Sequence, residues 1–314
     1  MRLFLLLFLL SWSAYAAYPE KPIRFILPSA AGGSVDVLMR VLAQQLSTQM
    51  GVAFVVENKP GGAFVPGTMD IVRAPPDGYT LGYGNIVSLA INRALLPKLP
   101  YDVEKDLTLV SNCVQVFNML AVNNDLPVRS VQELVAYAKK NPGKLTNGSS
   151  GNGTTGHLGG ELFKFMTGTD IVHVPYKGSA QAINDLMGGN IQVMFDNVPS
   201  IGPHVKAGRV RGLGVSSPKR AAQFPDLPTI AEAVPGYETN SWGGVIGPAK
   251  LPSEVLNRLV AEIRKALAAP AVVERYRQLD TEPDGAGPAA FLELVRKETP
   301  KWADVVKKSG AKVD

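Results

Sequence analysis

Short strand-like runs alternate with helix-like segments along most of this 314-residue chain, and this order constrains the fold more than any other feature. Residues 23–27 and 53–57 are apolar runs typical of strands, and apolar residues at helical spacing lie between them. A third strand follows at 79–84, after a second and shorter helix. Strand–helix–strand units of this kind build parallel sheets covered by helices. We therefore predict an α/β fold.

A second unit with the same order follows in the middle of the chain. Ser130 and Glu133 match the capping box that starts a helix, and Asn141–Gly143 contains the proline and glycine that end it. Three helical segments close the chain, and Pro300 should kink or interrupt the last of them because proline supplies no N–H to the helix. Strands are predicted at 120–122, 171–174, 191–195 and 210–215, and an extended segment at 241–247. Helices are predicted at 179–187 in the second unit and at 253–268, 271–279 and 289–308 at the end of the chain.

The N-terminus has the three parts of a secretory signal peptide. Arg2 is positive, residues 3–10 are apolar, and Ala14 and Ala16 form an A-x-A cleavage site. The apolar run is too short to span a membrane, which takes about 20 residues. We predict a signal peptide at residues 1–16, cut near Ala16, and a mature chain in the periplasm. The alternative is a buried N-terminal helix, which the prolines that follow at once disfavour.

Composition excludes several other classes of protein. The single cysteine, Cys113, cannot form an intramolecular disulfide or a multi-cysteine zinc site, and we expect it to be buried as a small apolar residue. Lys and Arg number 32 against 27 Asp and Glu, a net charge of +5 without any run of five like charges. So thin an excess is not the electrostatic footprint of a nucleic-acid-binding protein.

Each α/β unit places a loop rich in glycine and serine between a strand and a helix. The first loop is Ser29–Ser34 and the second is Ser149–Thr155. Glycine lets the backbone approach a ligand closely, and the N–H groups at the start of the following helix favour negative charge. Ligands of open α/β sheets bind at the carboxyl ends of the strands, so two facing loops would hold a small anion from both sides. Taken singly, either loop is more simply an ordinary strand–helix turn.

Motifs for cofactor, metal or nucleophilic chemistry are missing or incomplete. Gly151–Gly156 fits G-x-G-x-x-G, but the strand before it is poor and Pro175 stands where the ribose-binding acid belongs. His157, His173 and His204 lack the spacing of a zinc site, and no G-x-S-x-G turn occurs. We therefore expect no cofactor, no metal site and no catalytic residues, and a binding protein rather than an enzyme.

Short motifs follow one another in a fixed order along the mature chain. They are Tyr18–Ile23, Pro28–Asp36, Val56–Gly61, Pro76–Leu81, Leu99–Asp102, Tyr137–Lys139, Asn141–Lys144, Ser150–Gly153, His157–Leu158, Val174–Gly178, Pro228–Glu232 and Trp242–Gly243. In this order and spacing the chain resembles the Bug-type extracytoplasmic solute receptors of tripartite tricarboxylate transporters. The likeness covers essentially the whole mature chain.

The resemblance implies a two-lobed α/β fold of the periplasmic-binding-protein or Venus flytrap kind, type II-like, with the ligand cleft between two α/β domains. Domain 1 would comprise residues 17–120 and 236–314, and domain 2 residues 121–235. The resemblance also implies capture of a small carboxylate or related metabolite and its delivery to the membrane permease subunits of a tripartite tricarboxylate-type transporter. We expect the receptor to be a monomer.

By match to the family motifs, the resemblance further implies which residues bind the ligand. They would do so with backbone amides and hydroxyls more than with arginine or lysine. The first side of the cleft would be lined by Ser29, Gly33, Ser34 and Asn85, the second by Ser150, Gly151, Asn152, Thr154, Thr155 and His157, and Tyr176, Asp196 and Asn197 would close it.

Two positions depart from the family pattern. Ser29 stands where the family often has phenylalanine, so we expect a smaller and more polar wall there, and Phe64 replaces part of a glycine-rich stretch. Two other functions use the same cleft. One is a secreted enzyme acting on a small carboxylate, and the other is a ligand-sensing receptor for a signalling partner.

Overall fold

A computed structural model describes residues 18–279 and 281–311, and the signal peptide predicted at residues 1–16 lies outside these ranges. The described chain contains ten β-strands and eleven α-helices. The strands are β1 Ile23–Leu27, β2 Phe54–Asn58, β3 Thr80–Asn85, β4 Leu107–Val122, β5 Leu145–Ser149, β6 Ile171–Pro175, β7 Val193–Asn197, β8 Arg211–Val215, β9 Asn240–Pro248 and β10 Glu282–Pro283. The helices are α1 Ser34–Met50, α2 Val65–Val72, α3 Asn92–Leu95, α4 Val103–Asp106, α5 Val131–Lys140, α6 Thr155–Thr167, α7 Ser179–Met187, α8 Val198–Lys206, α9 Ser253–Leu267, α10 Pro270–Gln278 and α11 Pro288–Ser309.

The strands are arranged as two α/β lobes. In lobe 1, β1 pairs in parallel with β2 and β3, and the antiparallel strand β9 and the first part of β4 extend this sheet. In lobe 2, β5 pairs in parallel with β6 and β7, and the second part of β4 lies antiparallel to β7 and β8. The strand order is β2-β1-β3-β9-β4-β7-β5-β6, with β8 and β10 also beside β4. The predicted two-lobed α/β fold is therefore confirmed.

Strand β4 passes from one lobe to the other. Its residues Leu107–Phe117 pair with β9, and Asn118–Val122 pair with β7. The chain returns to lobe 1 through residues 216–239, between β8 and β9. The sequence predicts only residues 120–122 of β4 because polar residues interrupt its apolar pattern further upstream. The predicted domain boundaries stay a prediction.

The last helix, α11, runs through Pro300, so the interruption predicted there does not occur, while the alternative, a kink at that residue, stays a prediction. The helix is continuous from Pro288 to Ser309. Trp302 is fully buried in the lobe 1 core, and its Nε1–H donates to the Glu298 carboxylate at 3.0 Å. Burying a large apolar side chain stabilises a fold by about 1.5–3 kcal/mol, which is comparable with the cost of roughly 3 kcal/mol for proline inside a helix. Packing therefore offsets the hydrogen bond that Pro300 removes.

Cys113 lies in β4 within the lobe 1 core and is a free, buried thiol. Burial raises the pKa of this thiol to about 12, so the thiol is protonated near pH 7. The prediction that Cys113 is a small buried residue without redox chemistry is consistent with this placement.

Candidate functional site

The loop between β1 and α1 is braced by the buried carboxylate of Asp36. This carboxylate accepts hydrogen bonds from Gly32 N–H at 3.0 Å and Asn58 Nδ2 at 2.8 Å. Arg40 Nε donates to it at 3.0 Å. Burial alone would raise the pKa of Asp36, but these donors hold it below its usual range, so the acid is ionised. The loop is thus fixed with Gly33 at the N-cap position of α1, where it adds no side chain over the helix N-terminus.

The matching loop of lobe 2, between β5 and α6, is held by hydrogen bonds among its own residues. Thr154 is the N-cap of α6, and its hydroxyl donates to the Gly151 carbonyl at 2.8 Å. Gly151 has a φ of +135°, which residues with a Cβ rarely adopt. Its N–H donates to Ser149 Oγ at 3.2 Å. The glycine-rich sequence therefore lets the backbone turn sharply just before a helix N-terminus.

Two stacked histidines contact this loop and hold it in place. The rings of His157 and His173 lie 3.9 Å apart and nearly parallel. His157 Nδ1 accepts the Gly153 N–H at 3.0 Å, and His173 Nε2 lies 2.7 Å from Ser149 Oγ. Burial first, and then neighbouring charge, lowers the pKa of His157 to about 3 and that of His173 to about 4. Both rings are therefore neutral near pH 7, and they position the loop rather than carry charge.

Three helix N-termini from the two lobes meet in the cleft. Asn197, at the N-cap of α8, donates from Nδ2 to Ser34 Oγ of α1 at 3.3 Å, which is a contact between the lobes. Asn118 Nδ2 lies 3.4 Å from Asn197 Oδ1 and 3.3 Å from Thr155 Oγ1, at the start of α6. The N-terminus of α7 in lobe 2 also lies near lobe 1. A Cβ added at Gly178, the N-cap of α7, would lie 3.7 Å from Ala30 Cβ.

Several backbone donors at these N-termini have no hydrogen-bond partner within the described chain. Helices α1, α7 and α8 lack a side-chain cap. The first N–H groups of a helix find no acceptor inside it, and together with the helix dipole they attract anions. Donors without a partner in the described ranges include the N–H groups of Ser34, Val35 and Asp36 in α1, Thr155 and Gly156 in α6, and Val198 and Ser200 in α8.

A cavity of about 140 Å³ lies between the lobes at these N-termini. Ser200 Oγ and His204 Nδ1 are buried at its wall and make no hydrogen bond within residues 18–279 and 281–311. Such orphaned polar atoms are costly unless a ligand or water satisfies them. The lining contains no lysine or arginine, and consists of Gly32, Gly33, Ser34, Val37, Leu38, Ser179, Ala180, Ile183, Pro199, Ser200, His204 and Leu279.

Asp196, near the carboxyl end of β7, is a buried acid in neutral surroundings. Its side chain is 3% exposed, and Oδ2 has no hydrogen-bond partner within the described chain. Burial raises the pKa of Asp196 to about 6, while the Ser179 hydroxyl and the Asn197 N–H act in the opposite direction. This carboxyl therefore takes up a proton at a higher pH than an exposed aspartate does.

The other predicted site residues differ in their burial and in their hydrogen-bond partners. Ser29 is half-buried after β1, with a buried and unpartnered hydroxyl, and Ser150 and Asn152 are half-buried in the lobe 2 loop. The Asn85 side chain turns back on its own segment, where Oδ1 accepts the Val87 and Ser88 N–H groups. Tyr176 donates its hydroxyl to Asp185 at 2.6 Å, inside lobe 2. The structure thus brings Ser34, Thr155 and Asn197 together, and engages Asn85, His157 and Tyr176 within single lobes.

Sequence reasoning missed Asn118, Ser200 and His173 as parts of this region. Asn118 gives a signal in retrospect, because it is a polar residue beside the apolar run Met119–Val122. Ser200 and His173 give none, since only the folded chain brings them to the cavity wall and the histidine stack.

Metal-binding groups and membrane-spanning helices are both absent from the residues that the structure describes. Across residues 18–279 and 281–311, no group of three or more His, Cys, Asp or Glu side chains is arranged to hold a metal ion. Within the same ranges no helix has the length and apolar character needed to cross a bilayer.

Comparison with known proteins gives a consistent result. Residues 38–311 match the family described as tripartite tricarboxylate transporter family receptor. The protein BugT of Bordetella pertussis is 36% identical over 298 residues, which cover 94% of this chain and 91% of BugT. The structure of R. palustris Rpa4515 with adipate is 38% identical, with a TM-score of 0.91 over 94% of this chain and all (100%) of that one. MatC from Rhodopseudomonas palustris with bound malate is 26% identical, with a TM-score of 0.87 over 92% of this chain and 100% of MatC.

These matches agree with the fold described above and with the resemblance seen in the sequence motifs. The family match extends over most of the chain, and BugT is a full-length relative above 30% identity. The chain belongs to the tripartite tricarboxylate transporter receptor family, and the predicted likeness to Bug-type receptors is confirmed.

Proposed function

We propose that this protein is a periplasmic receptor that captures a small linear dicarboxylate, such as adipate or malate, in the cleft between its lobes. One observation carries the proposal: helix N-termini from both lobes converge on the cleft with unpaired N–H donors. Each helix N-terminus stabilises a nearby anion by about 0.3–2 kcal/mol, the upper values applying where water is partly excluded. Relatives that share this fold hold adipate and malate.

Two carboxylates on one ligand fit the division of donors between the lobes. The α1 N-terminus belongs to lobe 1, and those of α6 and α8 belong to lobe 2. A dicarboxylate that bridges them binds the closed arrangement better than the open one, which is what drives closure. The closed receptor then delivers its ligand to the membrane permease subunits of a tripartite transporter, acting as an exported monomer.

The rival function, an enzyme acting on the same ligand, has one pair of residues in its favour. Ser149 Oγ and His173 Nε2 lie 2.7 Å apart, as a nucleophile and its base would. Ser149 is fully buried at 0% exposure, however, and its Oγ also bonds with Gly151. A hydroxyl so enclosed does not reach a substrate, so the pair supports a structural role.

Thermal-shift screening of the purified chain against mono-, di- and tricarboxylates and amino acids tests the proposal. We expect a concentration-dependent rise in Tm with one or a few dicarboxylates, because a ligand that binds only the folded state stabilises it. Proton NMR of the same mixtures should show the ligand unchanged after prolonged incubation. A panel without any rise in Tm would contradict the binding function, and steady conversion of a ligand would favour an enzyme.

A further inference from the structure

Asn118 lies where the two crossing segments of the chain meet. It is the first residue of β4 to pair with lobe 2, while its neighbour Phe117 pairs with β9. Its N–H donates to Ser216 Oγ and its carbonyl accepts the Ser216 N–H, both at 2.8 Å. Ser216 Oγ in turn donates to the Thr239 carbonyl at 2.5 Å. Strand β4 and the returning segment 216–239 are therefore fastened to each other at Asn118.

The Asn118 side chain makes three further polar contacts. Its Oδ1 accepts the Thr239 hydroxyl at 3.4 Å. Its Nδ2 lies 3.3 Å from Thr155 Oγ1 and 3.4 Å from Asn197 Oδ1. One amide group thus contacts the crossing segment and the N-termini of α6 and α8. These three distances exceed the 2.7–3.2 Å typical of firm hydrogen bonds, so the contacts have room to shorten.

The path continues into lobe 1. Asn197 Nδ2 donates to Ser34 Oγ at 3.3 Å, next to the free N–H groups of α1. Ser34, Asn197, Asn118 and Thr239 therefore form an unbroken series of polar contacts from the lobe 1 donors to the crossing segment.

A buried asparagine in a strand needs a reason, because an apolar β-branched residue suits that environment better. Asn118 is completely buried, and the next four residues of the strand are all apolar and buried. Burying an amide without hydrogen-bond partners is costly. Its contacts satisfy the group and at the same time make it sensitive to the position of α6 and α8.

We infer that Asn118 is a positioning residue. It couples the binding of a ligand at the helix N-termini to the position of the crossing segments, and so favours lobe closure. This inference rests on the proposed function for its ligand, but the network exists without one. Substituting Thr239 interrupts this series of contacts, because Thr239 contacts Asn118. Thr239 contributes none of the free N–H groups of the site.

The test compares Thr239→Val with Thr281→Val. Both threonines are buried and each donates one side-chain hydrogen bond to β4, but Thr281 bonds to the Gln115 carbonyl, away from the N-termini. The Thr239 hydroxyl also hydrogen-bonds with Tyr237, which lies in the same crossing segment. Valine keeps the shape of threonine in both variants. Urea unfolding first checks that the two variants have similar stability, so that the readouts below report coupling and not loss of folding.

Hydrogen–deuterium exchange of the free protein is the first readout. We expect Thr239→Val to raise exchange roughly fivefold in peptides covering residues 29–36 and 150–158, the order of effect of one lost hydrogen bond. Thr281→Val should exchange like the wild type in both peptides. Equal exchange in the two variants would overturn the inference, whatever the ligand is.

The adipate dissociation rate is the second readout. We expect adipate to leave Thr239→Val about fivefold faster than it leaves the wild type or Thr281→Val, because the closed state is less favoured. If the wild type binds adipate and all three rates agree, the inference fails and the receptor function stands. If the wild type binds no carboxylate, the proposed function fails, and the exchange result alone then decides the role of Asn118.

Discussion

At the scale of single residues, the cavity wall between the lobes contains no lysine or arginine, so it offers a proposed anionic ligand neutral donors. Ser34 shows how: its N–H is a free donor at the α1 N-terminus, and its hydroxyl accepts from Asn197 across the cleft. Net charge does not register such donors, so the overall charge of +5 says little about the ligand. The same neutral chemistry recurs in lobe 2, where Thr155 and Gly156 supply the free N–H groups.

Replacing Ser34 by alanine should weaken ligand binding without unfolding the protein. The change removes the Asn197–Ser34 contact between the lobes, a hydrogen bond worth about 0.5–1.5 kcal/mol, or roughly two- to tenfold in Kd. Titration calorimetry measures this change. Thr48→Ala is the matched control, because Thr48 lies on the exposed side of α1 and bonds only to the Gln44 carbonyl. Equal affinity in both variants would move the binding site away from α1.

The histidine pair predicts a loss of stability on mild acidification. The folded-state pKa is lowered from 6.5 to about 3 in His157 and to about 4 in His173. Between about pH 4 and pH 6.5 the unfolded chain therefore binds protons that the folded chain does not, and the free energy of unfolding falls as the pH falls through this window.

Urea unfolding near pH 7 and near pH 5 measures this effect. We expect the wild type to lose more stability between these two values than His173→Phe, which keeps a stacked ring but cannot take up a proton. The same loss in both proteins would show that the ring of His173 does not titrate as its burial requires.

At the scale of elements, sequence patterns predicted helices better than the long strand. Helix α7 was predicted with its observed bounds, because Ala182, Ile183 and Leu186 repeat at helical spacing and two glycines follow Met187. Strand β4 was recognised only in its last three residues, since its partners come from both lobes and no local pattern reveals them. Pro300 was expected to kink or interrupt α11, and the helix continues through it because the tertiary packing of Trp302 outweighs the local preference of proline.

Gly156 determines how closely helix α6 approaches strand β7. A Cβ at this position would lie 2.2 Å from the Phe195 carbonyl oxygen, and backbone cannot yield as a flexible side chain would. We expect Gly156→Ala to reduce the free energy of unfolding by about 1–3 kcal/mol and to weaken binding, because the α6 N-terminus must shift.

The control for this change is Gly188→Ala, at the end of α7. Its added Cβ meets nothing closer than the Asn184 carbonyl oxygen at 3.5 Å, an ordinary contact. Urea unfolding and calorimetry of both variants give the comparison. Wild-type stability in Gly156→Ala would mean that α6 does not lie against β7 as described.

At the scale of the whole molecule, the sequence predicted two lobes and two facing loops, and the structure confirms the two-lobed fold. The convergence of α8 with α1 and α6 was not predictable, because it depends on how β4 and the segment 216–239 set one lobe against the other. That Ser34, Thr155 and Asn197 touch the ligand stays a prediction from family motifs, which their proximity supports.

NMR titration of backbone amides tests the central claim, that one small dicarboxylate is held by helix N-termini of both lobes at once. With adipate added to isotope-labelled protein, we predict that the amide resonances of Ser34, Thr155 and Val198 move together, with one saturation curve. Resonance shifts confined to a single lobe, or lying outside these N-termini at saturation, would contradict the account.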